Sequence, residues 1–529
     1  MIRLSNIRID PPAGDEAALL EARRRLRLKS QEGASLRIAR KSVDARDKSR
    51  VRYVYTVEVE GLTQEDKLVA RLRLRDAQVV LPQPRMSVAP ARSVLPPVVV
   101  GLGPCGLFAA LTLAKAGLQP LVLERGQPVS ERLKAVSRLF SQGLLEEESN
   151  IQFGEGGAGA FSDGKLNSGI KSPLCGEVLH TLHDFGGPPE LLYMARPHIG
   201  TDKLPRLVTR IRQEIERLGG EVHFGARLSG LVVEGGSVRG VLYQQAGQQH
   251  QRRCDHLILA LGHSARDTQQ MLHGIGMQME PKAFSIGVRV EQLQSVVNRV
   301  QYGDFAEGYG LPPAEYHLSC RTRSGRGAYT FCMCPGGRVV NASSEQNRLC
   351  VNGMSPFSRG GRNANAAMLV DVSPADFDSA HPLAGFAFQR RWEEAAFRLG
   401  GGGYRAPAQL AEDFLAGRPS RELGEVMPTL RPGVSLVDLR EALPAFAVEG
   451  LQDALRVFER RLPGFASRGA LLTGVETRSS SPLRVVRDAG MQAGIRGVFP
   501  AGEGAGMAGG ILSAAVEGLK AAQALIAVL

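Results

Sequence analysis

The stretch from Val98 to Gly126, VVVGLGPCGLFAALTLAKAGLQPLVLERG, constrains the fold more than any other part of the chain. An apolar β-branched run breaks at Gly101, Gly103 and Gly106. A helix-period segment follows (Leu107, Ala110, Leu111, Ala114), then a second apolar strand that ends in Glu124. Strand, glycine turn, helix, strand and acid is the order a dinucleotide site demands. Gly101 allows the tight turn, Gly103 lets a pyrophosphate reach the backbone, and Gly106 lets the helix sit close on the sheet. The helix N-terminus, with Pro104 in the turn before it among the cofactor-contacting residues, offers unpaired N–H groups and partial positive charge to phosphates. Glu124, with Arg125 beside it, is placed to accept hydrogen bonds from a ribose diol.

A chain of 529 residues is long enough for two or three domains. Its 43% hydrophobic and 22% charged residues are those of an ordinary globular protein. The longest apolar run, Val98–Leu113, is interrupted by three glycines and Pro104, which makes it a poor bilayer span. The opening MIRLSNIRID has no apolar signal core, so the expectation is a cytoplasmic protein with no membrane partner. A net charge of +12 suits a phosphate-bearing cofactor and a small, anionic substrate. Seven scattered cysteines do not form a disulfide framework and read as reduced thiols.

Residues 1–90 read as a small basic α+β domain and linker. Met1–Ile9 is a strand, Gly14–Leu28 a helix carrying the basic run Arg23–Arg27, and Leu36–Lys41 and Arg52–Glu60 alternate as strands do. The pattern predicts a βαββ unit of ferredoxin-like type. Its excess of Lys and Arg, with Tyr53 and Tyr55 available to stack on bases, makes RNA docking one expectation. Pro82, Pro84, Pro90, Pro96 and Pro97 mark an extended linker.

The next glycine cluster runs from Ser149 to Ile170, SNIQFGEGGAGAFSDGKLNSGI. It is too glycine-rich for regular structure, and its interleaved Phe153, Phe161 and Leu166 are unlike a flexible linker. A loop lying flat on a ligand fits better, with Gly156, Gly157, Ser162, Asp163, Gly164 and Lys165 as the contacting residues. His198 sits in a further polar turn, Pro197–Asp202, and the apolar strand His256–Leu261 runs into Gly262 and His263. Such turns lie at the carboxyl edge of a sheet, where ligands collect. Both histidines are candidate proton donors to a substrate.

From residue 281 to 485 short alternating strands replace this pattern and predict an inserted α+β substrate domain. Arg321 and Arg323 are its candidate clamps for a carboxylate or phosphate. Cys332 and Cys334 fall on one face of a strand. No second Cys/His pair stands near them, so no metal site is expected and buried apolar thiols are the reading. Cys105 and Cys175 likewise lack a neighbouring partner for thiol relay chemistry. The chain closes with a strand at Gly497–Pro500, a glycine turn at Ala501–Gly510, and a helix from Ile511 to Leu529. Residues 95–280 and 486–529 are thereby expected to form one doubly wound, Rossmann-like domain around the insertion.

The two glycine turns, VVVGLGPCG…LERG and GVFPAGEGAGMAGG, resemble those of FAD-dependent oxidoreductases with a glutathione-reductase-like, two-dinucleotide-binding fold. The chain is most similar to a family of bacterial FAD-dependent dehydrogenases of undefined substrate. The resemblance runs through ESNIQFGEGGAGAFSDGKL, RPHIGTDKL, LALGHSARDT, FCMCPGG, VETRSSSPLR and PAGEGAGMAGGI, from about residue 97 to the end. It implies FAD as cofactor, with Gly101, Gly103, Gly106 and Glu124 on the ADP half and Gly502 and Glu503 on the ribityl side. Gly509, Gly510 and Ile511 then bring the last helix N-terminus to the flavin pyrimidine edge, where reduction places negative charge. Glu503 is a departure, because related flavoproteins often carry Asp there. The activity implied is hydride transfer between an organic substrate and flavin N5. NAD(P)H is a candidate electron donor, although the sequence shows no second intact GxGxxG for a dedicated nicotinamide domain. The alternatives are a flavoenzyme acting on RNA and a non-catalytic flavin-binding protein.

Overall fold

The computed structural model describes residues 1–28, 33–82, 84–167, 169–467 and 469–529. At its N-terminus a four-stranded antiparallel sheet has the order Ser35–Asp44, Arg52–Glu60, Ile2–Ile9, Ala77–Val79, with helices Asp15–Leu26 and Glu65–Leu72. The alternation in Arg52–Glu60 turns Tyr53, Tyr55, Val57 and Val59 inward onto Ala18, Ala22 and Leu26 of the first helix. Both tyrosines are therefore core residues. The Tyr55 hydroxyl donates to Asp15 and that of Tyr53 to the Gly310 carbonyl, so neither ring is free to stack on a base. Two of the arginines counted toward an RNA surface, Arg24 and Arg25, are paired with Glu21.

The Val98–Val100 strand is the middle of a five-stranded parallel sheet. Its order is Val498–Pro500, Leu257–Leu259, Val98–Val100, Leu121–Leu123, Glu221–His223. The Val98–Gly126 unit and the last strand of the chain thus meet in one sheet. The three-residue Val, Leu and Ile strands at its centre are buried on both faces, as parallel strands require. Helix Pro104–Lys115 and the terminal helix Ile511–Ile526 pack side by side on one face, buried through Ala109, Ala110, Ala514 and Ala515. Their small side chains allow the close approach.

A seven-stranded sheet holds the residues between. Its order is Ser319–Arg321, Gly327–Cys334, Asn363–Val372, Phe284–Leu293, Leu471–Glu476, Ala406–Leu410, Val434–Leu436, antiparallel except for the last pair. Helices Ala384–Leu399 and Ala445–Arg461 bury its apolar side chains in the largest core of the molecule. Among the described residues no helix is long and apolar enough to cross a membrane.

A buried ionic cluster ties the two sheets together. Glu393, on helix Ala384–Leu399 and fully buried, accepts from Arg266 Nη1 and Nη2 at 2.9 and 2.8 Å and from Arg478 Nε and Nη2, both at 2.9 Å. Thr477 Oγ1 adds a donor at 2.7 Å, and Arg266 also reaches Glu345 at 2.7 Å. Arg266 opens the helix that follows the Leu257–Leu259 strand, whereas Arg478 lies just past the strand Leu471–Glu476. One carboxylate therefore fixes the relative position of both.

Candidate active site

Between the two sheets lies a cavity of about 610 Å3, well within the range of small-molecule and cofactor sites. Gly101, Gly103, Pro104 and Glu124 from the first glycine turn line it together with Glu503, Gly509, Gly510 and Ile511 from the last. The helices starting at Pro104 and Ile511 both open toward it, and neither has a side-chain cap on its first N–H groups. Gly157 presses against Gly103, laying the Ser149–Ile170 segment over the first turn. Ser162, Asp163, Gly164, Lys165, Gly262 and His263 complete that part of the wall.

Glu124 has a second task that the motif alone does not reveal. Its Oε2 accepts from Leu102 N at 2.8 Å, and its Oε1 accepts from Gly126 N and Gly154 N, both at 2.9 Å. It pins the glycine turn and the Ser149–Ile170 loop to each other. A carboxylate has about four acceptor positions, so one is left for a ligand hydroxyl. Arg125, whose guanidinium stacks 4.1 Å from the Phe153 ring centroid, reaches Glu148 and Asp267 while lining the cavity. Asp163 is buried and held by Arg359, and burial is outweighed by Arg359 and Lys165, which keep its carboxyl below the usual range.

Six residues named from sequence do not line the cavity. Gly106, Gly156 and Gly502 pack instead against Gly101, Val208 and Cys105. His198 Nε2 donates to the Phe357 carbonyl, 2.9 Å away, and the imidazole stacks on the Phe357 ring. Burial and the nearby Arg359 lower its basicity, and it holds the Phe357 loop rather than a substrate. Arg321 donates to Gly325 O in its own hairpin, and Arg323 pairs with Asp453 on the outside of the sheet. Neither of these arginines is a clamp at this site. His263 does line the cavity, buried, with Nδ1 3.2 Å from Glu503 Oε1. Among the described residues neither ring nitrogen has a hydrogen-bond partner.

Several residues at the site were not singled out from the sequence. Glu476 and Thr330 of the seven-stranded sheet, Asn352 of the two-stranded ribbon Arg338–Asn341/Val351–Met354, and Tyr316 join the same wall, beside Cys332, which the sequence pattern places among buried thiols. Fully buried Arg289 organises them: it donates bidentately to Glu476, at 2.9 Å to the Cys332 carbonyl and at 2.7 Å to Asn352 Oδ1. Burial pushes the Glu476 carboxyl up, to about 7, against the pull of Arg289. Cys332 itself is half-buried, with φ of 42°, and the strand register slips between Phe331 and Cys334. This bulge breaks the alternation on which the reading of buried apolar thiols rested. Cys332 faces the cavity and only Cys334 is fully enclosed. A charged residue on an otherwise mostly apolar strand, as at Arg289 in Phe284–Leu293 and Glu476 at the end of Leu471–Glu476, is the sequence signal that marks this wall.

The glycine turns, the paired helix N-termini and the wall acids fit a dinucleotide, with open space over Gly509 and Gly510 where a Cβ would meet nothing within 4 Å. A family model described as "FAD-dependent protein, C-terminal domain-like" matches residues 283–479, and a domain of unknown function matches residues 1–60. Over residues 283–479 the chain is thus similar to FAD-dependent proteins. It is 43% identical over 531 residues to a Clostridium beijerinckii protein named as uncharacterized, covering 99% of this chain and 98% of that one, and it belongs to the same family. Among solved structures it is similar to an FAD complex of glycerol-3-phosphate dehydrogenase from Bacillus halodurans (11% identity, 82% of this chain and 65% of that chain, TM-score 0.37). It is also similar to 3-ketosteroid-Δ4-(5α)-dehydrogenase from Rhodococcus jostii (14% identity, 84% and 100%, TM-score 0.37). A third is a geranylgeranyl bacteriochlorophyll reductase-like protein from Thermoplasma acidophilum (13% identity, 82% and 78%, TM-score 0.38).

Proposed function

We propose that the chain is an oxidoreductase that holds FAD in this cavity and passes hydride between a small organic substrate and the flavin. The observation that carries the reading is that two glycine turns far apart in the sequence, at residues 101–106 and 501–510, each followed by a helix with no side-chain cap, open into one cavity with Glu124 and Glu503 on its wall. When bound, FAD supplies the hydride chemistry, at N5. Gly101, Gly103, Pro104 and Glu124 would hold its ADP half, and Glu503, Gly509, Gly510 and Ile511 the ribityl and flavin end. The N–H groups at Ile511 would then stabilise negative charge on the ring. His263, buried without a hydrogen-bond partner and next to Glu503, is free to bond a ligand.

The wall formed by the antiparallel sheet is left for the substrate. Its cations are matched, since Lys165 lies 3.7 Å from Asp163 and 3.9 Å from Glu315. The field there does not demand an anion. Glu476 is the better candidate for proton transfer than His198, being on the cavity wall and poised near neutrality. Protonated below about 7, it gives a proton to a substrate; ionised above that, it takes one.

Purified protein is expected to be yellow and to bleach on anaerobic addition of dithionite. Bleaching by NADPH or NADH then identifies the donor, and a colourless preparation indifferent to added FAD would end the proposal. With a working substrate pair, turnover that reduces the substrate should fall as pH rises through about 7, and turnover that oxidises it should rise. Glu476→Gln should flatten either profile and slow turnover by roughly 10²–10⁴-fold. A variant with an unchanged pH profile removes Glu476 from the chemistry.

A further inference from the structure

Cys332 and Cys334 are left without a task by the flavin reading, yet the structure builds a specific arrangement around them. The residue at the bulge has a left-handed backbone, a conformation in which Cys is uncommon. An extended i, i+2 pair stands about 6.6 Å apart, just inside the upper limit for a disulfide. The Cys334 thiol is in hydrogen-bonding contact with the Cys332 sulfur and 3.3 Å from the Cys332 carbonyl. Arg289 holds that carbonyl from one side, and the Lys165 amine donates to the carbonyl of the intervening Met333 from the other. Of the two thiols, Cys332 lines the cavity while Cys334 is sealed behind it.

We propose that Cys332 and Cys334 are a redox-active dithiol that exchanges with a disulfide compound entering the cavity. The charged groups facing Cys332 are Arg289 and Lys165, which favour its thiolate, and Asp163, which opposes it; Glu476 shares Arg289. The hydrogen bond from Cys334 is the largest influence and, with those cations, holds the Cys332 thiol below its usual value. That same bond, together with burial, raises the Cys334 thiol well above its usual value. A cavity-lining thiolate backed by a protonated thiol is the division of labour that exchange requires.

The Cys332 thiolate attacks one sulfur of the compound R–S–S–R, forming a mixed disulfide and releasing RS⁻. Cys334 then bonds to the Cys332 sulfur and displaces the second thiol, its proton leaving with that product as RSH. The protein pair loses two electrons, and the external disulfide gains them as two thiol products. Exchange of this kind needs no flavin, so it goes beyond the oxidoreductase reading and does not rest on it.

The test uses the full-length protein as purified, with Cys175, another partly exposed free thiol, as internal reference. Alkylation by iodoacetamide at pH 6, mapped by mass spectrometry, is expected to be about tenfold or more faster at Cys332 than at Cys175. Treatment with hydroxyethyl disulfide should give a Cys332–Cys334 disulfide, reversed by dithiothreitol. Cys334→Ser should stop at the hydroxyethyl adduct on Cys332; should that variant fail to fold, the two measurements on the native chain still decide. Alkylation of Cys332 no faster than that of Cys175, or a stable adduct in the native chain with no internal disulfide, overturns the proposal. Visible absorbance of the same samples reports the flavin independently, so a colourless protein would sink the flavin reading and leave this test intact.

Discussion

Glu393→Gln should lower the stability of the protein by about 3–5 kcal/mol, the cost of removing one partner from a buried ion pair. The substitution keeps the shape of the side chain but places an amide among donors. Arg478 keeps only the hydroxyls of Ser264 and Ser344, while Arg266 keeps Glu345. Two guanidiniums already desolvated by burial then lose the carboxylate that matched them. Urea unfolding is the measurement: the midpoint should drop with the slope unchanged, since the surface exposed on unfolding is the same. A loss below about 1 kcal/mol would place the cluster with ordinary surface pairs.

The same cluster fixes a pH dependence. Burial opposes ionisation of Glu345, but Arg390, Arg266 and Arg478 outweigh it and hold its carboxyl down at about 2. Glu393 is depressed likewise, burial being overcome by Arg266 and Arg478. A carboxyl depressed in the folded state stabilises it above the unfolded value, near 4.5, and that contribution disappears as pH falls toward the folded value. Native protein should therefore lose stability steeply between about pH 4.5 and 2. Glu393→Gln, lacking one of these groups, should show a shallower acid slope from its lower plateau.

What the sequence exposed and what it hid follow from the range of the interactions concerned. The Val98–Gly126 unit is written in consecutive residues, because turn, helix and strands are neighbours along the chain. The second half of the N-terminal sheet was harder. Helix Glu65–Leu72 has no fully buried residue and strand Ala77–Val79 is three residues long, so neither carries a strong pattern. Alternation in Arg52–Glu60 showed which side chains share a face, but not that a helix covers the face of Tyr53 and Tyr55. His198 and Arg323 were misread because the groups that occupy them, Phe357 and Asp453, are far along the chain. Cys332 was misread for a different reason: its bulge is set by pairing with the strand Asn363–Val372, and period-two alternation fails where pairing slips by one. Glu476 looks like any acid on a strand until Arg289 and the cavity are placed beside it.

Paired substitutions in the first glycine turn should separate folding from cofactor binding. Gly103 has φ of −73° and ψ of −176°, which any residue adopts, and a Cβ there would meet only Gly157 Cα, at 3.7 Å. Its methyl would nonetheless project at the turn that lines the cavity, where the pyrophosphate of the proposed FAD needs bare backbone. Gly103→Ala should accordingly keep the native circular dichroism and melting temperature. Its FAD affinity should fall by roughly 10- to 100-fold, the equivalent of about 1–3 kcal/mol of overpacking. Gly106 stands in the opposite position. A Cβ there would lie 1.8 Å from the Gly101 carbonyl oxygen and 3.3 Å from the Ala260 methyl, so helix Pro104–Lys115 must move off the sheet. Gly106→Ala should lose folded yield and flavin together. Titration of apoprotein with FAD, followed by flavin fluorescence, distinguishes the two variants. A Gly103→Ala protein that binds FAD as tightly as the native chain would show that the cofactor does not approach this turn, and the assignment of Gly101, Gly103 and Glu124 to its ADP half would fall with it.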